Sequence, residues 1–127
     1  MTLQKINLGS RGEELTVDFL KKQGYSILEK NYKTKLGEID IIARESRTVC
    51  FIEVKTRTTL KKGTPFEAVT FLKKRKLSQI ALSYLKLKNL LDVKARFDVV
   101  SVLSGADGRF ELNLIKDAFE LSAPYAY

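Results

Sequence analysis

Asp40, Glu53 and Lys55 have the residue types and the spacing that phosphate chemistry asks for. They sit in Gly37-Glu38-Ile39-Asp40-Ile41-Ile42-Ala43-Arg44 and Val49-Cys50-Phe51-Ile52-Glu53-Val54-Lys55-Thr56-Arg57, with Glu45 to Thr48 between. Alternation with period two is strand behaviour, and a short polar connection makes the two strands a hairpin. A hairpin closing symmetrically on Ser46-Arg47 sets Asp40 opposite Glu53 and Glu38 opposite Lys55, because each pair is equidistant from the turn. A four-residue loop keeps that pairing, whereas an odd-length loop or a bulge shifts it. Period two also groups Glu38, Asp40, Ile42 and Arg44 on one face, and Ile39, Ile41 and Ala43 on the other. In the second strand Phe51, Glu53, Lys55 and Arg57 share a face. Each strand is therefore expected to carry one mostly apolar face and one dense with charge.

Directly opposed strand residues have Cβ atoms about 4.5 to 5.5 Å apart, so two carboxylates there repel unless a cation or a proton lies between them. Mg²⁺ or Mn²⁺ suits such a pair, because these ions take a few carboxylate oxygens and fill the remaining positions with water and substrate phosphate. The Val54 carbonyl is a further candidate ligand. Lys55 is placed to hold an attacking water or to stabilise charge building on a phosphate. The competing reading is a solvated sheet face carrying ion pairs of the Glu38/Lys55 and Asp40/Arg57 type, which contribute little to stability.

Composition narrows the chemistry. The chain has 127 residues, 44% of them hydrophobic, which fits one domain with a real core and tails at 1–8 and 120–127 that fray. Lys and Arg number 23 against 15 Asp and Glu, a net +8 that favours polyanionic partners such as nucleic acid. Histidine is absent, which excludes Ser-His-Asp and Cys-His nucleophiles, His-based nucleases and His-liganded zinc. One cysteine, Cys50, excludes an internal disulfide, and its apolar neighbours mark it as a small buried hydrophobe. No apolar run approaches the ~18 residues of a membrane span, and the start of the chain lacks a signal-peptide core. From these features we expect a soluble, reduced, cytoplasmic protein.

The hairpin needs elements around it. Ser10-Arg11-Gly12-Glu13 has the pattern of a capping box, and Leu15, Phe19 and Leu20 follow at helical spacing up to Gly24, which predicts a helix over about 11–23. Tyr25 to Tyr32 reads as a strand and Lys33 to Gly37 as a loop. Thr64-Pro65-Phe66-Glu67 forms a second capping pattern, and Leu77, Ile80, Ala81, Tyr84 and Leu85 predict a main helix over about 71–87. Arg96 to Leu103 and Phe110 to Ile115 read as strands joined by the turn Ser104 to Gly108, with a helical turn in the tail from Lys116. The order α-β-β-β-α-β-β predicts an α/β fold with a mixed central sheet of about five strands flanked by helices.

Asp40 with Glu53-Val54-Lys55 resembles the PD-(D/E)xK nuclease pattern of the restriction-endonuclease-like fold, although Ile39 stands where that pattern has proline. More closely, Gly12-Glu13, Gly24-Tyr25, Asn31-Tyr32, Gly37-Glu38-Ile39-Asp40, Phe51 to Arg57 and Arg96 to Val100 resemble the YraN-type family of small bacterial candidate endonucleases, over nearly the whole chain. That family often carries a histidine just before the Ala118-Phe119 pair; here there is none, so no essential role falls to it. The family is similar in architecture to archaeal Holliday-junction resolvases, whose first helix carries a further acid. Glu13 fits that position, which implies a share in the metal shell; its alternative is the reciprocal cap with Ser10. Asp98, beside Arg96, reads as an ion-pair or structural residue.

Lys73, Lys74, Arg75 and Lys76, with Arg57, Lys61 and Lys62, make up a candidate phosphate-contacting surface that positions nucleic acid without reading its sequence. Tyr32, Phe66 and Tyr84 have faces for base stacking, although core packing suits each better. The expected function is a Mg²⁺- or Mn²⁺-dependent endonuclease cutting DNA, branched or otherwise structured, with Asp40, Glu53, Lys55 and Glu13 in the site and Glu38 auxiliary. The alternative is a nucleic-acid-binding module of the same fold that does not cut. Action on a two-fold junction requires a homodimer, for which no exposed apolar stripe in the sequence names an interface.

Overall fold

A computed structural model describes residues 3–58 and 71–120, with residues 3–10 described by backbone alone. Helix α1 spans Leu3–Lys22, and strands β1 (Tyr25–Thr34), β2 (Gly37–Glu45) and β3 (Thr48–Thr58) follow. Helix α2 spans Phe71–Leu87, and strands β4 (Ala95–Ser104) and β5 (Phe110–Phe119) complete the order α-β-β-β-α-β-β. The five strands form one sheet in the order β1-β2-β3-β4-β5, antiparallel except for the parallel pair β3/β4 that α2 bridges. Lys116 to Phe119 extend β5, so the expected helical turn does not form at the start of the tail. Thr64-Pro65-Phe66-Glu67 lies outside the described residues.

The two helices cover opposite faces of the sheet. Leu77, Ile80, Ala81, Tyr84 and Leu85 of α2 pack on Ile39, Ile42, Phe51, Phe97 and Val99. Leu20 of α1 packs with Tyr25, Ile41, Ala43, Cys50, Ile52, Val100 and Val102. The expectation of one apolar and one charged face per strand is therefore corrected. Ile42 and Phe51, on the nominally charged faces, are fully buried because the β3-α2-β4 crossover lays a second helix over them. Tyr84 is core, edge-on to Tyr32 at 5.1 Å and to Phe51 at 6.0 Å, and Cys50 is fully buried as expected. Burial, helped by Asp98, pushes the Cys50 thiol up to about 12, which keeps it protonated and inert.

Helix α1 starts two turns before the predicted capping box, which corrects the boundary and removes the box. Ser10 lies inside the helix, and a cap needs non-helical backbone at that position. Gly9 and Gly12 disguise the upstream turns, since glycine costs about 1 kcal/mol in a helix interior. Gly12 has a tertiary reason to be there: a Cβ on it would lie 2.3 Å from Thr56 Oγ1 of β3. This close approach, with the Thr16 hydroxyl donating to the Gly12 carbonyl at 2.7 Å, fixes the helix turn that carries Glu13.

A buried polar network ties the sheet together away from the charged end. The Asp98 carboxylate, with no exposed surface, accepts from Tyr25 Oη (3.0 Å), Arg96 Nε (2.9 Å) and the Asp117 amide (2.9 Å). Arg96 also donates to Glu45 at 2.6 Å, and Glu45 accepts from Lys116 at 2.8 Å. Asp98 is thus the structural, ion-paired residue the sequence suggests.

Candidate active site

The β2/β3 hairpin closes on Ser46-Arg47, with Glu45 paired to Thr48 and the ladder running to Ile41 opposite Ile52. Asp40 and Glu53 stand one step beyond that last pair, where the ladder ends. On the other side of β2, pairing with β1 skips Asn31 and Asp40, and Asn31 takes a left-handed φ of 51°. Alternation in β2 breaks here, so Ile39 joins Ile42 in the core under α2 instead of sharing a face with Ile41 and Ala43. The physical reason is a local bond: the Asp40 carboxylate accepts from the Val54 amide at 2.8 Å. Val54 thus meets the cluster through its N–H.

Glu53 is 6% exposed, and its carboxyl lies within hydrogen-bonding reach of the Asp40 carboxyl. Lys55 Nζ stands 3.3 Å from Glu53 Oε2, and Lys73 of α2 contacts the same oxygen. The structure therefore brings Asp40, Glu53 and Lys55 together. The ion pair of Lys55 is with Glu53, while Glu38 is exposed at the lip of a cleft of about 270 Å³ lined also by Asp40, Lys73 and Lys76. Glu13 faces Asp40 across a second cleft, about 500 Å³, between α1 and the β1/β2 edge. Asn31 bonds to the Glu13 carboxyl. Burial, with Glu38 and Glu53 behind it, raises the pKa of Glu13, and Asn31 opposes the rise.

Sequence reasoning missed Asn31, and it gave Lys73 to the phosphate-contacting surface without foreseeing its contact with Glu53. The signal for Asn31 was a poor strand former between Lys30 and Tyr32, of the type that tolerates left-handed backbone. For Lys73, nothing local distinguished it from its neighbours. The basic run divides in the structure: Lys73 turns to Glu53, Lys74 lies over the Phe119 ring (5.5 Å), Arg75 lies over Phe71 (6.0 Å), and Lys76 is exposed at the cleft. Arg57 lies near the end of β3, while Lys61, Lys62 and Phe66 are outside the described residues.

Burial first, then the charge of Glu53, pushes the Asp40 pKa up to about 7. Burial and Lys73 lower that of Lys55. For Lys73 burial is outweighed, and contact with Glu53 raises its pKa. The donor set, carboxylate oxygens that leave Asp40 short of positive charge, fits Mg²⁺ or Mn²⁺. Among the described residues no group of three or more acidic or cysteine side chains is arranged to hold a metal ion; Asp40 and Glu53 are two neighbouring carboxylates that could share one.

The raised Asp40 pKa sets a sign for stability without metal. The unfolded chain ionises Asp40 near 3.8 and the folded protein near 7, so between these values the folded state holds the extra proton. The stability this supplies is full below the unfolded value and is lost as pH rises through 7. Urea unfolding in EDTA should show wild type losing about 1.5 kcal/mol more than Asp40→Asn between roughly pH 5.5 and 7. Parallel pH profiles would mean that Asp40 ionises normally in the folded protein.

The model of the uncharacterised protein family UPF0102 matches residues 12–102. The chain belongs to the UPF0102 family. This is the family that the YraN-type resemblance names. A UPF0102 protein of Caldicellulosiruptor saccharolyticus is 47% identical over 118 residues, covering 92% of this chain and 100% of its own length. One from Geobacter metallireducens is 46% identical over 123 residues, 96% of this chain and 99% of that one. Another, from Clostridium perfringens, is 46% identical over 116 residues, 91% and 95%. Among solved structures, Pyrococcus furiosus SfsA in complex with Ca²⁺ overlays 89% of this UPF0102 chain and 63% of its own, with a TM-score of 0.41 and 13% identity. Among the described residues, no helix is long and apolar enough to cross a membrane.

Proposed function

We propose that this protein is a metal-dependent endonuclease of the restriction-endonuclease-like type, cutting the phosphodiester backbone of DNA, branched or otherwise structured, by attack of water. The observation that carries the reading is the convergence of Asp40, Glu53 and Lys55 at the open end of the β2/β3 ladder, with Asp40 electrostatically short of positive charge. Mg²⁺ or Mn²⁺ on Asp40 and Glu53 would supply Lewis acidity and neutralise charge on the phosphate. The Val54 amide holds the Asp40 carboxylate in a fixed orientation. Lys55, anchored by Glu53, presents an ammonium to the negative charge that grows on the phosphate oxygens. Glu13, held by Asn31, and Glu38 at the cleft lip add acidic groups for binding and orienting water.

The test is cleavage of branched, single-stranded and duplex DNA, and of RNA, with Mg²⁺ or Mn²⁺ and with EDTA. Metal-dependent cutting of any of these supports the assignment, and the preferred substrate names its class. Binding without cleavage over a wide protein range would select the non-catalytic module instead. On the binding side, Ala at Lys74, Arg75 and Lys76 should weaken association with all sequences alike and reduce the log–log salt slope by about one unit for each phosphate no longer neutralised. An unchanged slope would make these residues ordinary solvated surface.

A further inference from the structure

Within the charged centre it is Glu53 that meets positive charge before any divalent ion arrives. Asp40 and Glu53 contribute two carboxylates, Lys55 and Lys73 two ammoniums, and both ammoniums meet at Glu53 Oε2. Lys55 belongs to the same strand and face as Glu53. Lys73 reaches Glu53 from the first turn of α2, across the smaller cleft. The Glu53 side chain is 7% exposed, whereas that of Lys73 is 38% exposed and borders the cleft, so Lys73 is the member of the pair with space to turn into. A cation held by Asp40 and Glu53 stands against like charge for as long as Lys73 stays on Glu53. Lys73 leaving for the cleft relieves part of that repulsion, Lys55 staying 3.3 Å from Glu53, and sets an ammonium where a phosphate would lie.

We propose that Lys73 is an exchangeable counterion of the site: it holds Glu53 in the metal-free protein, is displaced when the divalent ion binds, and then takes a backbone phosphate of the nucleic acid in the α2 cleft. This rests on the reading of Asp40 and Glu53 as the metal-holding pair. It has two thermodynamic consequences. The ion binds more weakly alone than the two carboxylates would allow, because it must displace an ammonium. Metal and nucleic acid strengthen each other, because each favours the state in which Lys73 has left Glu53. The protein would thus assemble its charged centre only when both are present.

The experiment titrates Mn²⁺ into metal-stripped protein, reading free Mn²⁺ by electron paramagnetic resonance, for wild type, Lys73→Met, Lys73→Arg, Lys76→Met and Glu53→Gln. Lys73→Met should bind Mn²⁺ about tenfold more tightly than wild type, a coupling of ordinary size. Lys73→Arg should restore the wild-type affinity. Lys76→Met removes the same charge from the same cleft, so it corrects for the general field, and it should tighten binding by no more than about twofold. Adding a non-cleavable single-stranded oligonucleotide should tighten Mn²⁺ binding to wild type by a clearly larger factor than to Lys73→Met, in which only direct coordination of phosphate by the ion is left to couple the two; equal factors would overturn the exchange. Lys73→Met binding no tighter than wild type or Lys76→Met, while wild-type binding still depends on Glu53, overturns the counterion role and leaves the metal site standing. An absence of saturable Mn²⁺ binding in both wild type and Lys73→Met removes the metal-site reading, and the counterion role with it.

Discussion

Glu53→Gln should lower metal-dependent cleavage by about a thousandfold or more and abolish any rise in melting temperature brought by Mg²⁺ or Mn²⁺. Glutamine keeps the size and hydrogen-bonding reach of the side chain but deletes the charge that attracts a divalent ion. From the sequence alone, relief of repulsion with Asp40 and Glu38 is expected to raise the stability of the variant. The structure changes that sum, because Glu53 also pairs with Lys55 and Lys73, and the substitution strands two ammoniums while freeing Asp40. The opposing effects leave metal-free stability within about 1 kcal/mol of wild type, the range of partly exposed ion pairs. Asp40→Asn should show the same loss of cleavage. The measurement pairs melting temperature with and without metal against the cleavage rate on the best substrate. Cleavage and metal-induced stabilisation both persisting in Glu53→Gln would remove Glu53 as a ligand and with it the case for an enzyme.

Asp98→Ala is the variant expected to damage the fold most. Its carboxylate has no exposed surface and satisfies Tyr25 Oη, Arg96 Nε and the Asp117 amide. Through Arg96 and Glu45 the same network reaches Lys116, so it fastens β1, β2, β4 and β5 where α1 packs. Burial and the neighbouring Asp98 charge raise the pKa of Tyr25, which keeps its phenol a donor. Truncation takes from the Arg96 guanidinium one of its two counterions, Glu45 remaining at 2.6 Å, and leaves the Tyr25 hydroxyl and the Asp117 amide without their acceptor beside a cavity; breaking a buried pair by removing one partner costs about 3–5 kcal/mol. That is a large part of the roughly 5–15 kcal/mol typical of a whole domain. Urea unfolding should give this loss, and Asp98→Asn, which keeps an acceptor, should lose less. Cleavage per folded molecule should hold well below the melting point, because the hydrogen bonds of Asp98 run to Tyr25, Arg96 and Asp117 and not to Asp40, Glu53 or Lys55. A loss under about 1 kcal/mol would mean that the network is incidental to stability.

The register of the β2/β3 hairpin was legible in the sequence because it depends on short-range rules. A symmetric turn at Ser46-Arg47 sets which residues stand across from each other, and period two keeps Lys55 on the face of Glu53. The span of α2 was legible for the same reason, since Leu77, Ile80, Ala81, Tyr84 and Leu85 repeat at helical spacing. Tertiary structure decided everything that turns on which surfaces are covered. Ile42 and Phe51 read as members of charged faces until the β3-α2-β4 crossover lays a helix over them. Ser10-Arg11-Gly12-Glu13 reads as a helix start until Gly12 is seen packed on Thr56, which keeps the helix running and frees Glu13 to face Asp40. Lys73 looks like its neighbours in the run Lys73-Lys74-Arg75-Lys76, and only the docking of α2 on the sheet brings that one ammonium to Glu53, twenty residues away in sequence. Periodicity determines which side chains share a face; long-range packing determines which faces lose water, and so which charges must find partners.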